Sequence, residues 1–473
     1  MSRSELPGSR AFQGVIPAVI ATCGSDGVPN VTYLSQVHQI DAKHVALSCQ
    51  FFNKTKQNVL QNPYASVQIY DPITFDAFHL SLRYDHAETS GPLFDTMSLR
   101  IQAIASHTGM AGVFKLISAD VYELLACEKM SGYMSPPEPN DSLAPYESEL
   151  ERPHVARSEL RGLQLISQRT CSASDLDNLL SSVLDTLADV FGFEHAMLLM
   201  PDESAERLFA IAARGYGNDG IGAEVVVGEG LIGTVARERR MLRVAGVEAE
   251  LRYGRAIRAR ALQITGRRAL LPEIPLPGLP DAQSHMAMPL LVADRLIGVL
   301  AVESRQPLAF DDWDEAFLEI VANQVAVGIE NVLLRAAPEE DTKVAAPATP
   351  QVALAPGPTL RIRFFKSDDC VFVGDEYLVR NVPGRILWKL LRAHVESGRS
   401  EFSNRELRLD AWLGLPALRD NLESRLVLLR KRLEQKCPEL RMVSTSRGHF
   451  RLEASCRLEL EDCESLPNPP RSG

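Results

Sequence analysis

Apolar and polar positions along the chain fall into three blocks of different period, separated by two proline-rich stretches that have none. The first block is strand-like. Val15 to Thr22 is a short apolar run, Ser25-Asp26-Gly27 a turn, and Asn30 to Gln36 alternates; further strands follow at His44 to Cys49 and Ala65 to Tyr70. Between those last two lies a polar, basic turn and short helix, Gln50 to Leu60, stopped by Asn62-Pro63. From Phe94 to Ala119 the period becomes helical, and Val121 to Leu125 returns as a strand. In the second block, apolar residues recur at three- and four-residue steps from Leu160 through Val190, then strands are predicted at His195–Met200, Leu208–Ala213 and Val225–Val227. A glycine-hinged turn at Gly228–Gly233, strands at Ala287–Val292 and Asp294–Glu303, and a long helix from Leu318 to Leu334 complete it. The third block reads as a strand at Glu376–Val379, a helix opening at Pro383, a second helix from Ser403 through Trp412, and a third from about Ala417 to Lys436. A hairpin, Met442–Thr445 with His449–Glu453, closes it. Ser403 with Glu406 is a capping box, and Leu422, Leu426, Leu429 and Leu433 form the buried stripe of the third helix.

The spacers carry proline and small or polar residues with no face to bury. They divide the chain into 8–130, a linker 131–152, 153–336, an Ala/Pro-rich linker 337–358, 359–462 and a tail 463–473 expected to be disordered. Net charge is −11, yet 359–455 holds 19 Lys/Arg against 13 Asp/Glu, so the third block alone is basic. No apolar run approaches the ~20 residues that span a bilayer, and no secretory leader is visible. Eight scattered cysteines without a Cys-x-x-Cys pair point to reduced thiols in a cytoplasm.

In the first block, a strand, a Lys-Thr-Lys turn and a short helix converge ammonium, hydroxyl and N–H groups, which is phosphate-binding chemistry. An ordinary solvated turn would carry the same lysines. In order and spacing the block resembles the pyridoxamine-phosphate-oxidase-like, FMN-binding split-barrel family. That resemblance implies FMN, with Lys54, Thr55 and Lys56 gripping the phosphate and Thr32, Tyr33, Ser35, Ser48, Cys49 and Gln50 lining the ring. Where the oxidases carry an arginine at the start of the second strand, this chain has Asn30. Related split barrels bind haem, for which His38, His44, His79, His86 or His107 would supply an axial ligand. The helical stretch 94–119 is expected to cover a pocket mouth or a dimer face.

The second block, with Gly228-Glu229-Gly230-Leu231-Ile232-Gly233, the Pro289-Leu290 and Gly298-Val299-Leu300 strands and Asn323 to Asn331, resembles a GAF domain, which implies a small-molecule ligand. Its flanking helices have the continuous apolar faces of a parallel dimer. An insert after Glu248 carries Arg252, Arg255, Arg258, Arg260, Arg267 and Arg268, read either as an anion site or as a solvated loop. In the third block, Ser403 to Leu407, Ala411 to Gly414, Leu429 to Glu434 and Ser446 to Leu452 resemble the winged-helix output domain of response regulators. That likeness implies DNA contact by Arg405, Ser424, Arg425, Val427, Leu428, Arg430, Lys431 and the wing residue Arg447. Val427 and Leu428 stand where that family places polar or basic side chains, so they would meet either a thymine methyl or a protein partner.

The expected fold is multidomain α+β: a split β-barrel, a GAF α/β sandwich on an antiparallel sheet, and a winged helix-turn-helix. The expected function is a cytoplasmic, homodimeric one-component sensor and transcriptional regulator that does not enter a membrane. An FMN-dependent oxidoreductase and a haem-based gas or redox sensor are the alternatives.

Overall fold

Alternating apolar residues in the first block build strands that curl into one seven-stranded antiparallel sheet. They are β1 (Ala18–Cys23), β2 (Pro29–Leu34), β3 (Val37–Gln39), β4 (His44–Cys49), β5 (Tyr64–Tyr70), β6 (Ala77–Glu88) and β7 (Ser118–Met130), in the order β2-β1-β5-β6-β7-β4-β3. This is a computed structural model that describes residues 7, 9–50, 54–130, 156–202, 204–217, 220–265, 278–336, 359–367, 369–415, 422–446 and 448–464. The long β6–β7 pair has register shifts at Ser81/Leu82 and Tyr84/His86, which bend it and let the sheet close over Ile20, Val67, Leu80 and Leu82. The first turn is made by Gly27 at φ 71° beside Val28, whose N–H donates to Asp26 Oδ1 at 3.0 Å. Helix α1 (Lys54–Gln61) joins β4 to β5, and α2 (Pro92–His107) joins β6 to β7.

The second sheet is also antiparallel, in the order β10-β9-β8-β13-β12-β11. Its strands are β8 (His195–Pro201), β9 (Arg207–Arg214), β10 (Glu224–Val226), β11 (Leu242–Val244), β12 (Ser284–Val292) and β13 (Arg295–Ser304). One face packs on α3 (Ala156–Ser172), α4 (Leu176–Phe191) and α7 (Asp312–Ala336). Helix α4 is capped by Asp175, which accepts from Asn178 N at 2.9 Å, and ends on left-handed Gly192. The other face packs on α5 (Gly230–Glu238) and α6 (Val247–Thr265). Gly233 is dictated by proximity, since a Cβ there would lie 2.1 Å from Val226 O. The insert read as a loop is therefore helical through Thr265. The stretch Asp312–Arg335 is long and apolar enough to cross a membrane by length and composition alone. Here Leu318, Val321, Val325 and Ile329 bury it in the core.

The third block opens with two strands the sequence reading missed, β14 (Thr359–Phe365) and β15 (Cys370–Val373), followed by β16 (Glu376–Val379). With β20 (Arg457–Cys463) they form a four-stranded sheet in which β20 runs parallel to β14. On it lie α8 (Asn381–Ser397), α9 (Asn404–Leu409) and α10 (Leu422–Lys436), and Trp388 of α8 stacks on Phe364 with centroids 5.1 Å apart. The Ser403 half of the capping box forms: Ser403 Oγ accepts from Glu406 N at 3.3 Å, while the Glu406 carboxylate pairs with Arg399. Helix α9 ends three residues before Trp412, and β17 (Glu401–Ser403), β18 (Leu440–Ser446) and β19 (His449–Ala454) form a three-stranded sheet in the order β17-β19-β18. Strand β20 extends one residue into the expected tail. All eight cysteines are free thiols.

Helix α2 packs between the first sheet and the second domain. Met97, Ile101 and Ala105 face the first sheet, whereas Leu99, Ala103 and Ile104 enter the core of the second domain. Ser106 Oγ and His107 Nε2 accept from the N–H groups of Gly230 and Leu231, at 2.8 and 2.9 Å, and so cap α5 from another domain. Arg100 and Glu250 form a buried ion pair across the same junction. Burial pushes the Glu250 carboxyl up, more than Arg100 pulls it down. Arg100→Ala, which strands that carboxylate, is expected to cost about 3–5 kcal/mol. Arg100→Leu/Glu250→Leu should recover most of this in urea unfolding; a double variant as unstable as the single one would contradict that assignment.

Candidate functional site

At the base of the first barrel the Lys-Thr-Lys turn splits between solvent and core. Asn30 Nδ2 donates to Thr55 Oγ1 at 2.9 Å, and Lys54 Nζ lies 3.4 Å from Asp26 Oδ2, with both of those charges about half exposed. Lys56 turns inward, where its Nζ donates to Asp120 Oδ1 at 2.6 Å and to the Tyr84 hydroxyl at 3.2 Å. Asp120 also accepts from Ser118 Oγ at 2.7 Å. Burial works against the Lys56 charge, but the hydrogen bond and charge of Asp120, helped by Tyr84, outweigh it and hold the ammonium above its usual range. Lys56 is thus a buried structural ion, 9% exposed, and does not present its charge to a phosphate. Lys54 stays at the surface, where an exposed pair such as Lys54–Asp26 is weak and exchanges readily. Thr55 keeps its hydroxyl hydrogen for donation, and both residues stand in the first turn of α1. Those two residues fit a phosphate.

The expected ring-lining residues separate by face. Thr32 pairs with Ile20 on the inner face of β2, whereas Tyr33 points outward and is 65% exposed. Cys49 pairs with Ser118 on the inner face. Ser48 lies on the opposite face, with Ala46 toward α2, and bonds Ser35 Oγ at 2.8 Å, to which the Gln50 amide also donates. Thr32 and Cys49 remain in the barrel with Lys54 and Thr55 near its rim; Tyr33 and the Ser35–Ser48–Gln50 cluster are directed elsewhere. Asp120 and Tyr84 escaped sequence reading because they lie 64 and 28 residues from Lys56, with no local pattern tying them to it.

The histidines considered for haem have protein surroundings of their own. His44 meets Asp41, His86 meets Asp85 and Glu88, and His79 bonds Ser66 Oγ at 2.6 Å. His107 caps α5, and burial together with Arg100 pushes His38 down. Nothing in this geometry supports haem, and among the described residues no cluster of His, Cys, Asp or Glu could hold a metal ion.

In the second domain, His285 and Glu303 form a fully buried pair on the sheet face toward α5, 3.1 Å from Nδ1 to Oε1. Burial pushes Glu303 up, but the bond and charge of His285 and the Leu279 N–H, 2.8 Å from Oε2, bring it below its ordinary value. Among the described residues His285 Nε2 has no hydrogen-bond partner, the kind of polar atom a small ligand would satisfy. Of the arginines in the insert, Arg258 donates to Thr108 O at 2.5 Å and Arg252 pairs with Glu248. The Arg260 side chain, Arg267 and Arg268 lie outside the described residues.

The expected DNA-contact residues are mostly covered. Ser424, Arg425, Val427 and Leu428 are buried, at 5, 8, 4 and 6% exposure, and Lys431 is bound to Asp177 of the second domain at 2.6 Å. Val427 and Leu428 join that domain's core because an apolar helix face met an apolar sheet face. Arg430 Nε donates to Met442 O at 3.2 Å, Arg405 is exposed, and Arg447 lies outside the described residues.

Two family models match the chain: pyridoxamine 5′-phosphate oxidase over residues 9–112 and the GAF domain over residues 175–329. No curated protein matches it. Similar solved structures include the GAF domain from a phosphoenolpyruvate-protein phosphotransferase of Coxiella burnetii, 22% identical, covering 39% of this chain and 99% of that one with a TM-score of 0.32. Free methionine-R-sulfoxide reductase from Neisseria meningitidis is 18% identical, with coverage of 37% and 91% and a TM-score of 0.30. An FMN-binding protein from Syntrophomonas wolfei is 15% identical, with coverage of 26% and 85% and a TM-score of 0.22. On the two family matches, the chain joins a domain of the FMN-binding, pyridoxamine 5′-phosphate oxidase-like family to a GAF sensory domain.

Proposed function

We propose that the chain is a cytoplasmic, homodimeric one-component regulator in which the FMN-binding-type barrel and the GAF domain sense a small molecule or redox state, and residues 359–464 bind DNA as a winged helix. The observation that carries the reading is the order of the third domain: a four-stranded sheet, three helices, and a hairpin whose strand β19 pairs back to β17. The basic excess of the same segment agrees with a polyanionic partner. The oxidoreductase reading has no feature of the described residues in its favour beyond the family match.

Dimerisation is supported by α7. Trp313, Ile320, Val327 and Leu334 recur every seven residues and are 50, 46, 52 and 62% exposed, while the opposite face is buried in the GAF core. With Ala316 and Asn323 between them they form a 3-4 seam, to which a second copy of the same helix is complementary. Ile320→Asp/Val327→Asp should convert a dimer to a monomer in light scattering; an unchanged mass would remove α7 as the interface.

FMN bound at the barrel would supply a redox centre. Its phosphate would be held by Lys54 and Thr55. Titration with FMN should therefore weaken by roughly tenfold in Lys54→Ala, the loss of one charge-assisted hydrogen bond. Lys56→Ala should leave affinity within about twofold while costing roughly 3 kcal/mol of stability, because it leaves Asp120 buried and unpaired. The reverse ranking would restore Lys56 to the phosphate.

Selection of duplexes from a random pool by the full chain tests the regulator directly. A dimer of winged helices should enrich paired half-sites about 10–10.5 base pairs apart, or multiples of that spacing. A pool that stays random in low salt would refute DNA reading by this chain.

A further inference from the structure

The face of α10 that the winged-helix reading assigns to DNA is the face the GAF domain covers. Lys431 Nζ lies 2.6 Å from Asp177 Oδ1 and 3.3 Å from Ser181 Oγ, both on α4. Arg432 donates to Ile221 O at 3.2 Å, and Arg380, just before α8, donates to Glu224 at 2.7 Å. Val427 and Leu428 are packed in the core that also holds Met200 and Ile211. On the opposite side, Leu422, Leu426, Leu429 and Leu433 stay in the third domain's own core, so α10 is folded whether or not the GAF domain touches it. Glu434 is its one exposed residue.

Resting on the reading above, we propose that the GAF domain is an intramolecular lock on α10: DNA and the sensor compete for one helix face, and the docked arrangement is the DNA-excluding state. Three features make the contact releasable. A cavity of about 280 Å³ opens within it, lined among others by Phe209, Asp369, Arg385, Arg425 and Leu428, so the two surfaces do not meet at the density of a domain interior. The two domains are joined by the Ala/Pro-rich stretch 337–358, so a tethered α10 competes at high effective concentration yet departs as a rigid body. Two of the polar contacts, Lys431–Asp177 and Arg380–Glu224, are charge pairs between an acidic sensor and a basic output domain, and an incoming polyanion replaces the carboxylates at the same cations. The lock also accounts for Val427 and Leu428: apolar residues on a DNA-facing helix are covered while the output is off.

The releasing substitutions leave α10 untouched. Full-length Asp177→Lys/Glu224→Lys repels Lys431 and Arg380 from the sensor side, and Asp189→Lys/Asp281→Lys adds equal charge at exposed carboxylates outside the contact. Binding of a mixed-sequence 30-base-pair duplex is measured by anisotropy, and hydrogen exchange is followed over residues 422–436. The lock predicts about tenfold or greater tightening for the first variant over the second, together with faster exchange across α10. Equal affinity of the two variants, with the wild-type chain still binding the duplex more tightly than Lys431→Ala, would overturn the lock and leave the DNA-binding reading standing. No binding by any of the chains would overturn both. Tightening without a change in exchange would also overturn it, because the gain would then not come from uncovering the helix.

Discussion

The GAF sheet has two apolar faces, and its own helices close neither completely. On one face, α5 and α6 leave space that Leu99, Ala103 and Ile104 of the first domain fill. On the other, α3, α4 and α7 leave a margin that Val427 and Leu428 of the third domain occupy. Burial of apolar surface is nondirectional and scales with area, so the sheet accepts helices from whichever domain presents an apolar face. The sensor is consequently the hub on which the other two domains converge. What distinguishes the two contacts is their polar detail. The α2 contact is fixed by two N–H acceptors at the start of α5 and a buried Arg–Glu pair. The α10 contact has two charge pairs, Lys431–Asp177 and Arg380–Glu224, and encloses a cavity.

Sequence reading found what local periodicity encodes. The Gly228–Gly233 hinge, the Ser403 cap and the leucine stripe of α10 each follow from neighbours within seven residues, and each is present. It missed β11 because three residues carry no period, and β14 and β20, although Leu360-Arg361-Ile362-Arg363 and Leu458-Glu459-Leu460 alternate, because the two strands pair across the whole length of the third domain. It misread α6 because four arginines mask a helical period. The candidate site suffered more, since the partners that decide each lysine's role are remote: Asp120 for Lys56, Asp177 for Lys431. A basic residue in a motif is legible; whether a carboxylate elsewhere in the fold has already claimed it is not.

The same rule explains why Lys54 and Lys56, two residues apart, end in different roles. On an eight-residue helix that spacing turns one ammonium to solvent and the other into the barrel. Once inside, Lys56 requires a counter-charge, and Asp120 together with the Tyr84 hydroxyl provides it. On the proposed reading, phosphate recognition would fall to the outer lysine, Thr55 and the helix terminus.

Covalent organisation and packing divide this chain differently. The linkers at 131–152 and 337–358 mark where segments could be exchanged between genes, yet α2 and α10 each belong to two cores at once. A recombination event at either linker would transfer a complete sequence module and leave behind a bare apolar strip on the GAF sheet. The units of inheritance are therefore smaller than the unit of stability, and any new partner joined to this sensor must bring its own helix to cover that strip.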